Sequence, residues 1–285
     1  MITAKAQGKI NLVFQVGPLR SDGYHEVASI YQALEIEESV SVAPSDSWQV
    51  VTEGDAPGIG ALPQAQDNLV VIAARALAAH AGIDNPRPMK FLIKKQIPVA
   101  GGMAGGSADA AAALVALNEA WCLGLEQVEL LRVGSKIGAD VPFAILGGTA
   151  FGGGTGTELK PIQPHPQLHV LLVFAEFGLS TKAVFEAFDE LRPQGDLLSP
   201  ELDTQFEQLI GHNSLQPAAL AIRPELARVL ELNLGIRGGY LSGSGPTIWF
   251  YSESESRAKV ALELAQSFGL RALLTKTSNL GARLI

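Results

Sequence analysis

Pro98-Val99-Ala100-Gly101-Gly102-Met103-Ala104-Gly105-Gly106-Ser107-Ala108-Asp109 is the stretch on which the reading of this chain turns. Ahead of it, Met89-Lys90-Phe91-Leu92-Ile93-Lys94 alternates with the period of a strand. Behind it, Ala110 to Ala113 favour helix, and Leu114, Leu117 and Trp121 recur at helical spacing. The stretch is therefore a glycine loop feeding a helix N-terminus. Its glycines (Gly101, Gly102, Gly105 and Gly106) let the backbone approach a ligand closely. The first helical turn has N–H groups without intrahelical partners and carries the positive end of the macrodipole. Together these predict an anion cradle for nucleotide phosphates. The alternative is a tight strand-to-helix connection whose glycines serve packing alone; the glycine density, with Pro98 before it and Ser107 at the helix start, favours phosphate. Gly106 stands where GxxxxGK[ST] needs its lysine, and GxGxxG does not fit either.

The rest of the composition fits a folded protein. The chain has 285 residues, 47% hydrophobic and 18% charged, enough for one large or two medium domains. A net charge of −8 argues against a nucleic-acid or anionic-membrane surface, so anionic ligands need local positive potential. Cys122 is the single cysteine, which excludes an intrachain disulfide and fits a cytoplasmic protein. Between Trp121 and Leu123 it is expected to be a buried structural thiol. No signal peptide or membrane span is expected.

Working outward toward the N-terminus, Ile10 to Val16 reads as a strand broken by Gly17-Pro18. Lys9 and Asn11, two apart, share a face of it, either as a site wall or as a solvated edge. Arg20-Ser21-Asp22-Gly23-Tyr24-His25-Glu26 is a polar turn. Tyr24 and His25 offer a stacking face and a hydrogen-bonding edge suited to a flat heterocycle, or simply a surface turn. Strands follow at Ser29–Leu34, Ser39–Ala43 and Trp48–Thr52, then a loop over 53–67 and a helix capped by Asp67 or Asn68.

On the other side of the glycine stretch, a helix over Leu125–Ile137 leads to Gly138-Ala139-Asp140-Val141-Pro142-Phe143. Asp140 there either serves chemistry or caps the next turn. A glycine-rich hairpin spans 147–156, and the proline-rich 161–167, with His165 as a solvated residue, reads as a domain linker. The second half has a strand at Leu168–Phe174, a helix bearing Val184, Phe185 and Phe188, and helices at Ser199–Ile210 and Pro224–Leu234. His212, in the turn Gly211–Leu215 between those two helices, is expected to be structural. Strands Gly239–Leu241 and Thr247–Tyr251 flank a second glycine loop, Ser242-Gly243-Ser244-Gly245-Pro246. A helix capped by a Ser252-x-x-Glu255 box and a strand at Leu270–Thr275 complete a β-α…β-β-α-β order, the ferredoxin-like pattern.

Taken together, these segments resemble the galacto-, homoserine, mevalonate and phosphomevalonate kinase (GHMP) superfamily. The resemblance rests on Lys9-Ile10-Asn11, the Pro98–Ala110 loop and Leu241-Ser242-Gly243-Ser244-Gly245, in that order. Asp22-Gly23-Tyr24-His25-Glu26, Gly138-Ala139-Asp140-Val141-Pro142 and Thr275-x-x-Ser278-Asn279 narrow it to the branch that acts on a cytidine-diphosphate-linked methylerythritol. The implied fold is α+β with two domains: an ATP-binding α/β domain over 1–160 and a ferredoxin-like domain over 161–285. The implied reaction is ATP-dependent phosphorylation of the substrate's 2-hydroxyl, with Mg²⁺ held largely by phosphates and water. The alternatives are a homoserine- or mevalonate-type kinase, or a nucleotide sensor without catalysis. By resemblance, Asp140 is the general base and Lys9 steadies it and the transferring phosphoryl group. Tyr24, His25 and Phe185 hold the cytosine, while Asn11, Thr181 and Gly243 face the substrate. Asn68 and Lys95 lie near the adenine, beside the phosphate loop from Pro98 to Ala108. Asp109 stands where some relatives have asparagine, either tolerated there or helping to hold Mg²⁺. The expected protein is a cytoplasmic monomer or homodimer with only small-molecule partners.

Overall fold

The computed structural model describes residues 1–58, 65–163, 166–196, 198–199, 202 and 206–285. His165 and part of the helix expected over Ser199–Ile210 lie outside the described residues. Of that helix, Phe206–Leu209 is a single 3₁₀ turn.

Two long antiparallel strands, β1 (Ile2–Leu19) and β2 (His25–Pro44), form the spine of the first half. Gly17-Pro18 does not end β1, because pairing resumes past an irregularity with Leu19 opposite His25. Proline is tolerated at such a bulge, where no ladder N–H is needed. The strands expected at Ser29–Leu34 and Ser39–Ala43 are one strand. Its far end pairs with β4 (Met89–Lys95), which runs parallel to β3 (Gln49–Gly54). Its middle pairs with the hairpin β5 (Thr149–Gly153) and β6 (Glu158–Pro161).

Helix α1 (Leu69–His80) is capped by Asn68, whose Oδ1 accepts from Val70 N at 3.2 Å. Helix α2 (Gly105–Ala120) packs on β1, β2 and α1, and Ala110 to Ala113 are fully buried. Alanines let the helix axis lie close to the sheet; larger side chains there would cost about 1–3 kcal/mol in overpacking. Past α2, Cys122 N and Leu123 N donate to Glu119 O and Asn118 O. This is a Schellman termination with a cysteine, at φ 53°, where glycine is usual. Cys122, past the end of the helix, is exposed and not buried as expected. Helix α3 is shorter than expected, Gln127–Gly134, and α4 (Val141–Leu146) follows the turn that carries Asp140.

In the second half, β7 (His169–Phe174), α5 (Thr181–Leu191), β8 (Arg237–Leu241), β9 (Ile248–Ser252), α8 (Glu255–Ser267) and β10 (Arg271–Lys276) give an antiparallel sheet ordered β10-β7-β9-β8. That order and element sequence are the ferredoxin-like arrangement. Two short helices precede β8: α6 (Gln216–Ile222), which the sequence reading missed, and α7 (Leu226–Leu230), shorter than the expected Pro224–Leu234. The cap of α8 is Ser254, whose Oγ accepts from Arg257 N, and not Ser252.

Strand periodicity ties the halves together. On β7 and β9, Leu171, Val173, Ile248 and Phe250 point into a core shared with α5 and α8. The alternate residues Val170, Leu172, Trp249 and Tyr251 point into the core of the first half. The chain then returns: Ser278 N donates to Ala33 O, and β11 (Arg283–Leu284) pairs with β1.

Candidate active site

Lys9 and Asn11 do share a face of β1, and that face is a site wall. Lys9 Nζ donates to Asn11 Oδ1 at 2.8 Å and to Gly102 O at 3.2 Å. Asn11 pairs in register with Tyr31 on β2, and its Nδ2 donates to Ser29 Oγ at 2.8 Å. Lys9 is 5% exposed, and its ammonium lies 5.7 Å from the centre of the Tyr31 ring. Burial pulls the Lys9 ammonium below the usual lysine range, and Asp140 opposes the shift.

The glycine loop bends over this wall. Ala104, the cap of α2, sits in the left-handed region at φ 59° and offers no side-chain acceptor. The first-turn amides of Gly105, Gly106 and Ser107 therefore stay available at the cleft they line. Ala100 is left-handed too, at φ 52°. The second glycine loop closes on the first: Ser242 Oγ donates to Gly102 O at 2.9 Å, and Thr247 N to Gly101 O at 3.3 Å. Gly102, at φ 73°, must be glycine, since a Cβ there would lie 2.2 Å from Ser242 O.

Asp140 occupies the N-cap position of α4, yet its side chain makes no capping bond. Instead Oδ2 lies 3.8 Å from Lys9 Nζ, with the carboxylate side chain 31% exposed. Of the two sequence readings, capping and chemistry, the geometry removes the first. The result is a buried lysine and an accessible carboxylate side by side, facing a glycine-rich helix N-terminus across a cleft of about 460 Å³.

At one end of the cleft, Thr181 and Phe185, one turn apart on α5, line the wall. Thr181 Oγ1 is 3.0 Å from Ser244 Oγ, and Asn213 Nδ2 donates to Gly243 O, fixing the second loop. His25 is buried, its Nδ1 2.9 Å from Gly17 O and its ring 5.1 Å from that of Phe185. His25 Nε2 is 3.3 Å from Asp189 Oδ1 without hydrogen-bond alignment, so that nitrogen is left without a partner. Tyr24 is 64% exposed on the neighbouring turn and has no ring contact among the described residues, so the structure does not bring it against Phe185.

At the other end, Asn68 and Lys95 both line the cleft. Asn68 does so while capping α1. Lys95 is 2% exposed, and its Nζ donates to Asp109 Oδ2 at 2.7 Å and lies 2.9 Å from Glu38 Oε1. Glu38 in turn accepts from Gln96 N and Ile97 N, at 3.0 and 3.1 Å. Among the described residues no group of three or more His, Cys, Asp or Glu could hold a metal ion.

Tyr31, Ser29, Glu38 and Ser244 are site residues that sequence reading missed. Period-2 spacing could have found the first two, since Ser29 and Tyr31 share the β2 face opposite Asn11. Glu38 stands in a run with Glu35 and Glu37, and no local signal sets it apart as the fully buried acid among them.

The GHMP kinases N terminal domain profile matches residues 68–148. A 4-diphosphocytidyl-2-C-methyl-D-erythritol kinase of Nocardia farcinica is 42% identical over 100% of this chain and 96% of its own length. One from Rhodococcus jostii is 42% identical over 100% of the chain and 95% of its own. A crystal structure of 4-(cytidine 5'-diphospho)-2C-methyl-D-erythritol kinase superposes with a TM-score of 0.76 at 28% identity, covering 97% of this chain and 99% of that one. A crystal structure of L. major mevalonate kinase in complex with R-mevalonate shares the fold at TM-score 0.70 and 16% identity, over 96% of this chain and 95% of its own.

Proposed function

We propose how this cleft works from one premise: the chain belongs to the 4-diphosphocytidyl-2-C-methyl-D-erythritol kinase family, within the GHMP kinases. It is a kinase that phosphorylates 4-diphosphocytidyl-2-C-methyl-D-erythritol with ATP, on the non-mevalonate route to isoprenoid precursors. The acceptor is the 2-hydroxyl. Asp140 takes the proton of that hydroxyl as the oxygen attacks the terminal phosphorus of ATP, the bond from that phosphorus to the β–γ bridging oxygen breaks, and ADP leaves with the bridging oxygen. Lys9 stabilises negative charge on the transferring group, and Asn11 holds Lys9 in place. Phosphoryl transfer demands little covalent work from the protein, so positioning and electrostatics carry the rate.

The observation that carries this reading is Asp140 itself: a carboxylate at a helix start that declines to cap and sits 3.8 Å from a buried ammonium instead. The phosphate chain of ATP lies along the Pro98–Ala108 loop, against the free amides of the first turn of α2. The adenine lies toward Asn68 and Lys95. At the far end, Phe185 and His25 hold the cytosine, and His25 Nε2, which makes no hydrogen bond within the protein, supports that role, since a buried imidazole nitrogen gains from a ligand hydrogen bond. Tyr24 reaches the base only by turning inward. Thr181 and Gly243 border the acceptor.

Mg²⁺ would be held by the nucleotide's phosphate oxygens and water, in line with its ligand preference, and would neutralise charge on the phosphates. No step above depends on it. We assign residues 1–160 and 161–285 as the two domains, the second lending its last strand, β11, to the sheet of the first, and a cytoplasmic setting in line with the single cysteine.

One assay tests the reading: ATP consumption by the purified protein with 4-diphosphocytidyl-2-C-methyl-D-erythritol, homoserine and mevalonate in parallel. Consumption with the first alone is expected. Turnover of either other alcohol, or none at all, would overturn it.

A further inference from the structure

Under the glycine loop, Glu38, Lys95 and Asp109 form a buried cluster of two acids and one base. They are 0%, 2% and 4% exposed, and Lys95 and Asp109 border the cleft. The acids are not equivalent. Glu38 has the Lys95 ammonium and two backbone N–H donors, from Gln96 and Ile97. Asp109 has the ammonium only, through Oδ2, while its Oδ1 is buried without a partner. A buried carboxylate oxygen lacking a donor is costly, so Asp109 is the acid that gains most from a proton.

Among the described residues nothing else relieves the surplus negative charge. Of the elements packed on α2, β1 contributes Lys9, which is engaged with Asn11, Gly102 O and Asp140. On α1 the charged Arg75 is exposed, and His80 lies 3.9 Å from Glu129 of α3. Asp140, at the start of α4, faces Lys9, and Arg283 of β11 is paired with Glu37. Among the described residues, Glu38 and Lys95 are the charged groups that act on Asp109. With all three ionised the cluster carries one net negative charge, beside the place where a polyanion is to bind.

We propose that nucleotide binding at the glycine loop draws one proton from solvent onto Asp109, leaving Lys95 shared between a neutral acid and the Glu38 carboxylate. This rests on the reading of the loop as a nucleotide cradle and adds a coupling to it. Burial, with Glu38 reinforcing it and Lys95 opposing, pushes the Asp109 carboxyl up to about 7, so the proton is within reach near neutral pH. The phosphates add negative charge and push it higher in the complex. The sign follows: between the free and bound values the complex holds a proton that the free protein lacks. Affinity is therefore undiminished below the free value and falls as pH rises above it, by up to about tenfold per pH unit.

Calorimetric titration of the full chain with ADP, at about pH 8 in buffers of different ionisation enthalpy, measures the proton directly. The expected result is uptake on the order of half to one proton per ADP bound. In Asp109→Asn, ADP still binds, uptake drops to nearly nothing, and affinity no longer depends on pH. Glu38→Gln, which removes the charge that raises Asp109, lowers uptake as well and serves if the first variant does not fold. Binding by the wild type without uptake, or equal uptake in Asp109→Asn, overturns the coupling alone. A protein that binds no ADP overturns the cradle reading with it.

Discussion

Two lysines line one cleft, nearly equally buried, and their surroundings part them. Lys95 sits between two carboxylates, at 2.7 and 2.9 Å. Burial would lower its pKa, but Asp109 and Glu38 outweigh that and hold it above the usual value. Among the described residues Lys9 has one carboxylate at 3.8 Å, two amide oxygens and the Tyr31 ring, and burial prevails in pulling it down. The difference separates their tasks. Lys95 has its charge fully spent on joining β2, β4 and α2 at both ends of the phosphate loop. Lys9 keeps charge in reserve, held in a low-dielectric wall where an arriving phosphoryl oxygen would feel it most.

The sharpest way to break this contrast is at Asp140, the only acidic partner of Lys9 among the described residues. Asp140→Asn is expected to lower kcat by about 10²–10⁴-fold with ATP affinity retained, in steady-state kinetics beside direct nucleotide titration. Near-normal turnover would remove Asp140 from the chemistry. Next is Lys95→Met, which strands two buried acids. A loss of about 3–5 kcal/mol in urea unfolding is expected. Little loss would mean the cluster is not the staple that its distances suggest.

Lys9→Met should do the reverse. It removes an under-paired buried charge beside a partly exposed carboxylate, so unfolding stability should hold while kcat falls by about 10²–10³-fold. A destabilised Lys9→Met would erase the distinction between the two lysines. The smallest effect is expected at Ala104, in the loop between them. Ala104→Gly relieves a left-handed alanine and should add about 1 kcal/mol to stability. If it also weakens nucleotide binding, the strain itself shapes the cradle.

The glycine loop and the Lys9–Asn11 face were legible because they depend on local periodicity and on backbone freedom. The ferredoxin-like order was legible for the same reason. The full length of β2 was not. Glu35, Glu37 and Glu38 look like the end of a strand, but Glu37 is satisfied by Lys5 and Arg283, and Glu38 by Lys95. Those partners lie far away in sequence, and no local pattern announces them. Tyr24 and His25 were read as a unit because they are neighbours in the chain. At a strand entrance neighbours face opposite ways, so His25 is buried and Tyr24 is exposed. The double duty of Asn68, cap and cleft wall at once, was likewise invisible until the helix start was fixed.

The carbonyl of Gly102 receives donors from both halves of the molecule, Lys9 Nζ from the first and Ser242 Oγ from the second. The cradle is therefore not a module that can be cut out. Residues 1–160 expressed alone would keep every glycine of the loop and lose the wall that holds its shape, while baring the apolar surface that Trp249 and Tyr251 now cover. Dissection of this enzyme into fragments would report failure of assembly, and would be silent about where the nucleotide binds.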